Sequence, residues 1–464
     1  MILSDIKREK KSLDILSGPM IPAFIRYALP IILTSVLQLL YNAADVAAVG
    51  NLASSVDVAA VGATTIIVNI FVVASVNVAA GSNVIAARSF GANDPERIRR
   101  VVKNSYTFSL LLGLSMAILG WIFTVPLLKI TACPENIIDK STLYMRIYFI
   151  GLPAMAVYNY LAGILSSSGE SKKPFIYLVI SGASNVVLNV VLILTTGEAV
   201  ASVAIATVAS TYISCTLILI HFMRRKDAAR LNPFEFGLDP DLISKIVKLG
   251  VPAAISSLCY NAANMFVQSE INACGDFAIS GNTAALTMEG IVFAVTGAAS
   301  GTAAVFVGQN LGAGNKGRVF EVVKKSMLFW SCVAAATLTV CLIFGRPIIG
   351  LLIPGEPEAI DFGMIRVYMI CGSAVIHVLY NINNGVMNAF GYSVYQMIIN
   401  VFFICGFRIP WMVWVYPLAP EGTVWSAVMM YVIYPISFAL VLVVNSICVA
   451  RLLRKLKKGE DFTV

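Results

Sequence analysis

Charge is what this sequence has least of. Asp, Glu, Lys and Arg make up 12% of its 464 residues, roughly half the share found in a soluble domain of that length. A water-soluble fold is therefore excluded. Histidine is almost absent too, and His221 and His377 stand too far apart in the chain to build a zinc site alone. The nine cysteines are scattered singly with no CxxC pair, which points to small apolar packing residues. Neither DDxxD nor HxxxxD occurs, so a prenyl or acyl transferase lacks its clustered carboxylates or its His–Asp pair. The first twenty residues are polar and Lys-rich, without the small-residue cleavage site of a secretory signal.

What is present is apolar length. Hydrophobic residues make up 58% of the chain, with mean hydropathy +0.83. Runs of roughly 20 apolar residues recur, each long enough to cross about 30 Å of hydrocarbon as a helix. The runs are continuous and do not alternate, which favours helices over a β-barrel. Twelve candidate spans follow, the first near 22–49 and the last near 423–450. Lys and Arg set their orientation. The N-terminal lysines, Arg97–Lys103, Lys172 and Lys173, Arg224–Arg230, Lys316–Lys325 and the tail RLLRKLKK fall on one side, read as cytoplasmic. The opposite side receives Lys129, Lys140 and Arg346. Both termini are expected in the cytoplasm. The net charge of +8 is a topology signal, and no nucleic-acid partner is read from it.

The chain also repeats itself. YNAAD (41–45) returns as YNAAN (260–264), DVAAVGATT (57–65) as DFAISGNTA (276–284), and FGANDPERIRRVVKNS (90–105) as LGAGNKGRVFEVVKKS (311–326). Six spans separate equivalent positions, so the halves share one orientation. The expected architecture is an all-α integral membrane protein, with twelve transmembrane helices in two parallel six-helix bundles. Residues 1–225 form the first lobe, 226–245 a cytoplasmic linker, and 246–464 the second lobe with its basic tail. Two such bundles would leave a cleft for substrate. GAGNKG (312–317) matches the dinucleotide fingerprint GxGxxG. It follows an apolar span rather than a β-strand, and its repeat mate GANDPE lacks the later glycines. It reads as a turn.

Polar side chains recur at helical spacing inside the apolar spans. Gln38, Asn42 and Asp45 share one face of the first span, with Tyr41 beside them, and Ser257, Asn261, Asn264 and Gln268 one face of the seventh. Ser181, Asn185 and Asn189 line the fifth, and His377, Asn381, Asn384 and Asn388 the tenth. Such stripes face a neighbouring helix or a wet cavity, because amides exposed to lipid cost several kcal/mol. Asp45 stands apart. A carboxylate at mid-membrane costs roughly 2.5–3.5 kcal/mol even on the lenient scale, and desolvation favours its protonation or its use as a cation ligand. Glu289 has two readings, a cavity residue or a buried structural partner of Arg408. His377 is read first as packing, and Arg146 and Arg366 as anchors that snorkel to the interface.

The segments ALPIILTSVLQLLYNAADVAAVG, FGANDPERI, SSSGESKKP and SNVVLNVVLI, in this order and spacing, resemble the multidrug and toxic compound extrusion (MATE) family. The resemblance covers nearly the whole chain. It implies a cation-coupled antiporter that exports organic cations or amphipathic compounds, driven by Na+ or H+ and without a cofactor. Asp45 looks like the family's first-span aspartate. Asn185 looks like the asparagine of its sodium site, and Thr207 falls where a sixth-span hydroxyl contributes. Asn189 departs from members with a second aspartate there. One sodium ligated by Asp45, Asn185, Asn189 and Thr207, or a proton on Asp45, would both satisfy the charge. The substrate cavity is expected to include Gln38, Tyr41, Asn42, Asn261, Asn264, Glu289, His377, Asn381 and Arg408. Tyr260 stands where some members carry a second-lobe acid. The expected partners are a small molecule and membrane lipid, with a monomer sufficient for the pathway. The alternative is a flippase for a lipid-linked or polysaccharide precursor, which would need several cavity cations.

Overall fold

The computed structural model describes residues 13–52, 54–131, 133–420, 423–460 and 462, the side chains of 41–52 excepted. Among the described residues there is no strand. The helices are α1 Met20–Leu52, α2 Ser55–Gly91, α3 Pro95–Ile130, α4 Glu135–Ile150, α5 Leu152–Ser167, α6 Lys172–Thr196, α7 Ala199–Arg224 and α8 Pro240–Ala273. They continue as α9 Asp276–Gly312, α10 Lys316–Leu352, α11 Pro357–Ile370, α12 Ala374–Ala389, α13 Ser393–Asn400, α14 Gly406–Pro410, α15 Val424–Tyr431 and α16 Ile433–Lys457. Eleven described stretches are long and apolar enough to span a bilayer, and α4 with α5, bent by 44°, complete a twelfth. The bend falls at Gly151, just before Pro153, whose ring opposes a continuous helix.

Most helices outrun the apolar runs that reveal them. Apolarity follows the bilayer, whereas a helix ends where its backbone groups find caps. At the start of α2, Ser54 and Asp57 cap each other reciprocally. At α3, the Asp94 side chain accepts from the Arg97 N–H, and Pro95 opens the helix. The last helix, α16, carries Arg451, Arg454 and Lys455 beyond the apolar run.

The chain divides into two compact units. The first comprises the residues up to Ile246 together with Gly308–Arg318, and the second Val247–Val307 with the residues from Val319 on. In the first unit the repeated turns are built alike. Asn93 and Gly314, repeat mates, both have positive φ, at 50° and 68°. The mates Asp94 and Asn315 each accept from the N–H three residues on. GAGNKG is thus a helix-to-helix turn. Its neighbours are packed backbone to backbone. A Cβ on Gly91 would lie 1.9 Å from the Gln309 carbonyl oxygen, and one on Gly312 would lie 2.0 Å from that of Arg88. These are equivalent contacts, made reciprocally by the two repeats. Gln309 Nε2 also donates to the Ser167 carbonyl at 2.6 Å, and Arg318 to those of Ile15 and Gly18.

The segment after α7 lies on α3. The N–H of Asp239 donates to Asn104 Oδ1 at 2.6 Å, that of Gly237 to Thr107 Oγ1 at 3.1 Å, and Arg100 pairs with Asp239. Arg225 bridges Glu170 and Asp227 at 2.9 and 2.6 Å, and Lys173 reaches Glu170 at 2.5 Å. Burial pushes the Glu170 carboxyl up, but its two cations outweigh that and hold it below the usual carboxylate range. The hydrogen bonds from Arg225 hold Asp227 low as well, against a smaller effect of burial.

In the second unit, α9 and α11 cross where Gly281 meets Ala359 and Gly363; added Cβ atoms there would lie 2.1 and 2.5 Å from backbone oxygens. Small residues let membrane helices approach this closely. The eleventh span, Ser393–Leu418, is not a plain α-helix. Wide π-turns at Val401–Cys405 and Trp411–Val415 flank the short α14, and Pro410 inside it withholds one backbone donor.

Candidate functional site

Each unit holds at least one buried polar cluster that contains residues expected at a site. In the first unit it lies between α6 and α7, which pack along their lengths, with α1 against both. Asn185 and Asn189 are 5% and 1% exposed, one helical turn apart on α6. Asn189 Nδ2 donates to Asn185 Oδ1 at 3.3 Å, and Asn185 Nδ2 reaches Thr207 Oγ1 at 3.4 Å. Thr207 donates in turn to the Val203 carbonyl. One turn away, Ser181 ties the helices by donating to the Ser210 carbonyl at 2.6 Å. The fold therefore brings together three of the four residues expected to hold a cation. The fourth, Asp45, lies on α1 with Tyr41 and Asn42, and these three side chains fall outside the described residues. Gln38, a turn earlier, is exposed. Chemically the cluster offers neutral amide and hydroxyl oxygens, the donors that suit hard cations. Among the described residues no group of His, Cys, Asp and Glu could hold a transition metal.

The second unit is built differently. Below the Gly281–Gly363 crossing, Arg366 of α11 meets Glu289 of α9. Arg366 Nη2 lies 2.6 Å and Nε 2.8 Å from Glu289 Oε2. Arg366 Nη1 donates to Asn282 Oδ1 at 2.7 Å, which also accepts from the Tyr431 hydroxyl at 3.2 Å. Asn282 Nδ2 donates to Gln268. Arg366 is therefore no snorkelling anchor. It is 5% exposed and Glu289 3%, and the two form a buried bridge. That partner also corrects the expected pairing of Glu289 with Arg408. The sequence hides the true pair because both arginines sit in apolar spans and only helix register decides which one faces α9. The repeat mate Arg146 lies over the Trp121 ring at 5.5 Å; the first half has Ile70 where the second has Glu289.

Arg408 is completely buried, and its hydrogen-bond partners are neutral: Asn264 Oδ1 at 3.0 Å and Ser437 Oγ at 3.2 Å. His377 packs between Phe293 and Phe438, at 4.9 and 4.6 Å between ring centroids. Asn381 donates to the His377 carbonyl, and Asn261 is exposed. Among the described cavity residues expected from the sequence, Asn264 touches Arg408 and Asn381 touches His377. Tyr431, Tyr434, Ser437 and Asn282 join the network and escape sequence reading. Tyrosine and serine in an apolar run look like packing until a charged partner is seen.

The MatE family model matches residues 30–191 and, a second time, 252–414. The chain belongs to the MatE family. The double match places the family's repeat on both halves of this MatE chain. Among curated relatives, "Probable multidrug resistance protein YoeA" of Bacillus subtilis is 26% identical over 402 residues, covering 83% of this chain and 84% of that protein. "Multidrug export protein MepA" of Staphylococcus aureus is 20% identical over 337 residues, covering 72% and 74%. Two solved transporter structures share the fold. One is MATE in complex with MaL6, with TM-score 0.88 at 18% identity over 97% of this chain and all of that one. The other is an outward-facing multidrug resistance MATE transporter, with TM-score 0.86 at 20% identity and the same coverage. The MatE fold is twelve helices in two six-helix bundles, as the spacing of the apolar runs predicts.

Proposed function

We propose that this MatE transporter is a cation-coupled antiporter exporting organic cations or amphipathic compounds by alternating access. The observation that carries the reading is the buried Asn185–Asn189–Thr207 cluster, on helices that pack against the α1 bearing Asp45. Amides buried in an apolar bundle are costly unless bonded, and this group offers oxygens to a bare cation. The names of the relatives YoeA, "Probable multidrug resistance protein", and MepA, "Multidrug export protein", support export of varied compounds.

In this reading Asp45 supplies the one charge of the coupling site. A sodium ion would bind with Asn185, Asn189 and Thr207 completing its oxygen shell. A proton would instead be held on Asp45 itself. Coupling requires that the ion and the substrate differ in affinity between the two access states. The protein works as a monomer in the cell membrane, both termini cytoplasmic, following the Lys and Arg asymmetry. Reconstitution in vesicles, with sodium and pH gradients imposed separately, tests the proposal. A fluorescent organic cation should move against its gradient under one of the two. Movement indifferent to both would reject coupling.

A further inference from the structure

Arg408 sits in a site with the chemistry of a cation receptor. Its guanidinium carbon lies 4.1 Å from the Tyr434 ring centroid, 4.9 Å from Tyr260 and 5.3 Å from Phe438. Asn264 Oδ1 accepts from Nη1, while Ser437 Oγ accepts from Nε and Nη2 at 3.2 Å each. The Tyr434 hydroxyl donates to the same Asn264 oxygen at 3.1 Å, which holds the amide in place. Aromatic faces and neutral oxygens around a desolvated planar cation are how proteins recognise organic cations. A buried arginine kept for stability alone would be expected to have a carboxylate, as Arg366, which lies over the same Tyr434 ring at 5.7 Å, has in Glu289. The amide that receives Arg408 is the repeat mate of Asp45.

We infer that Tyr260, Asn264, Tyr434, Ser437 and Phe438 form a binding site for guanidinium-class cations, and that Arg408 is its tethered occupant. The second repeat thus keeps a cation site at the position equivalent to Asp45 but fills it with its own side chain. A mobile cation is shut out of that unit. The π-turns on both sides of α14 carry the tether on a stretch of helix whose register is already irregular, a feature common at functional sites. The consequence for coupling, one mobile cation confined to the first unit, rests on the function proposed above. The cage itself does not.

The test is binding, not transport, so its failure is separable from failure of the antiport reading. The full chain in detergent, wild type and Arg408→Ala, is titrated with guanidinium chloride at millimolar concentration against sodium chloride of equal ionic strength. Arg408→Ala should unfold at a lower temperature, and guanidinium should raise its midpoint saturably by about 2–4 °C. Wild type should not respond. Tetramethylammonium, which has no N–H donors for Asn264 and Ser437, should act more weakly than guanidinium. A folded Arg408→Ala protein indifferent to guanidinium, or one responding no more than wild type, would overturn the proposal. Should Arg408→Ala not accumulate folded, Asn264→Asp decides instead. A carboxylate against the tethered cation should raise the midpoint, and an unchanged or lower midpoint would overturn the proposal.

Discussion

Replacing Glu289 by Gln tests the second unit most sharply. The variant keeps size and an acceptor oxygen but leaves Arg366 buried with neutral partners. Breaking one side of a buried ion pair costs about 3–5 kcal/mol. Both members here are nearly inaccessible, with side-chain exposures of 6% and 3%. Asn282 still accepts from Arg366 Nη1, so the lower end, about 3 kcal/mol, is expected. For a unit of this size each kcal/mol moves the midpoint by about 2–4 °C, giving a loss of roughly 6–12 °C. The assay is thermal unfolding of the purified protein in detergent, with Arg366→Gln and the double variant measured beside it. The double variant removes both charges and should recover much of the loss, giving a coupling energy of about 1–3 kcal/mol. Additive losses, or an unchanged midpoint for Glu289→Gln, would refute the bridge.

Other expectations follow from the same geometry. Gly312→Leu or Gly91→Leu should disrupt the first unit, because the added carbon meets a backbone oxygen at about 2 Å, whereas Gly317→Ala, with open space around it, should be silent in thermal unfolding. The Glu170–Arg225–Asp227 group should protect the segment after α7 from hydrogen exchange at pH 7. Because both carboxyls are held low in the fold, that protection persists above their unfolded values, about 4, and is lost as pH falls through the folded ones. Arg225→Gln should remove it at neutral pH. Asn185→Leu should leave the midpoint within a few °C but abolish the response of transport to its driving ion.

Much of this fold was legible because the bilayer imposes a coarse code. Twenty apolar residues mark a span, and Lys and Arg mark a side. The repeat was legible from YNAAD and YNAAN and from the glycine turns, whose reciprocal contacts the structure then displays at Gly91 and Gly312. The shared face of Asn185 and Asn189 was legible too, since i, i+4 spacing fixes a helix face, whereas Thr207 on the next helix came from the MATE resemblance alone. What escaped was pairing across helices. Arg366 stands near a span end, where lysines and arginines commonly snorkel, and no local signal tells that Gly281 and Gly363 draw α11 against α9. Likewise the π-turns on both sides of α14 break the regular helical register around Arg408, so spacing alone does not fix which neighbour it meets.

The central claim is that the charge of Asp45 couples export to an ion gradient. The direct measurement is uptake of a fluorescent organic cation into inverted vesicles by Asp45→Asn, against wild type, with sodium and pH gradients imposed in turn. The amide keeps the shape of the carboxylate but can neither exchange a proton near neutral pH nor bring a charge to sodium. Gradient-driven uptake should vanish while expression and unfolding midpoint hold or rise, a charge having been removed from an apolar span. Asn264→Asp should not restore it. Normal gradient-dependent uptake by Asp45→Asn would contradict the account.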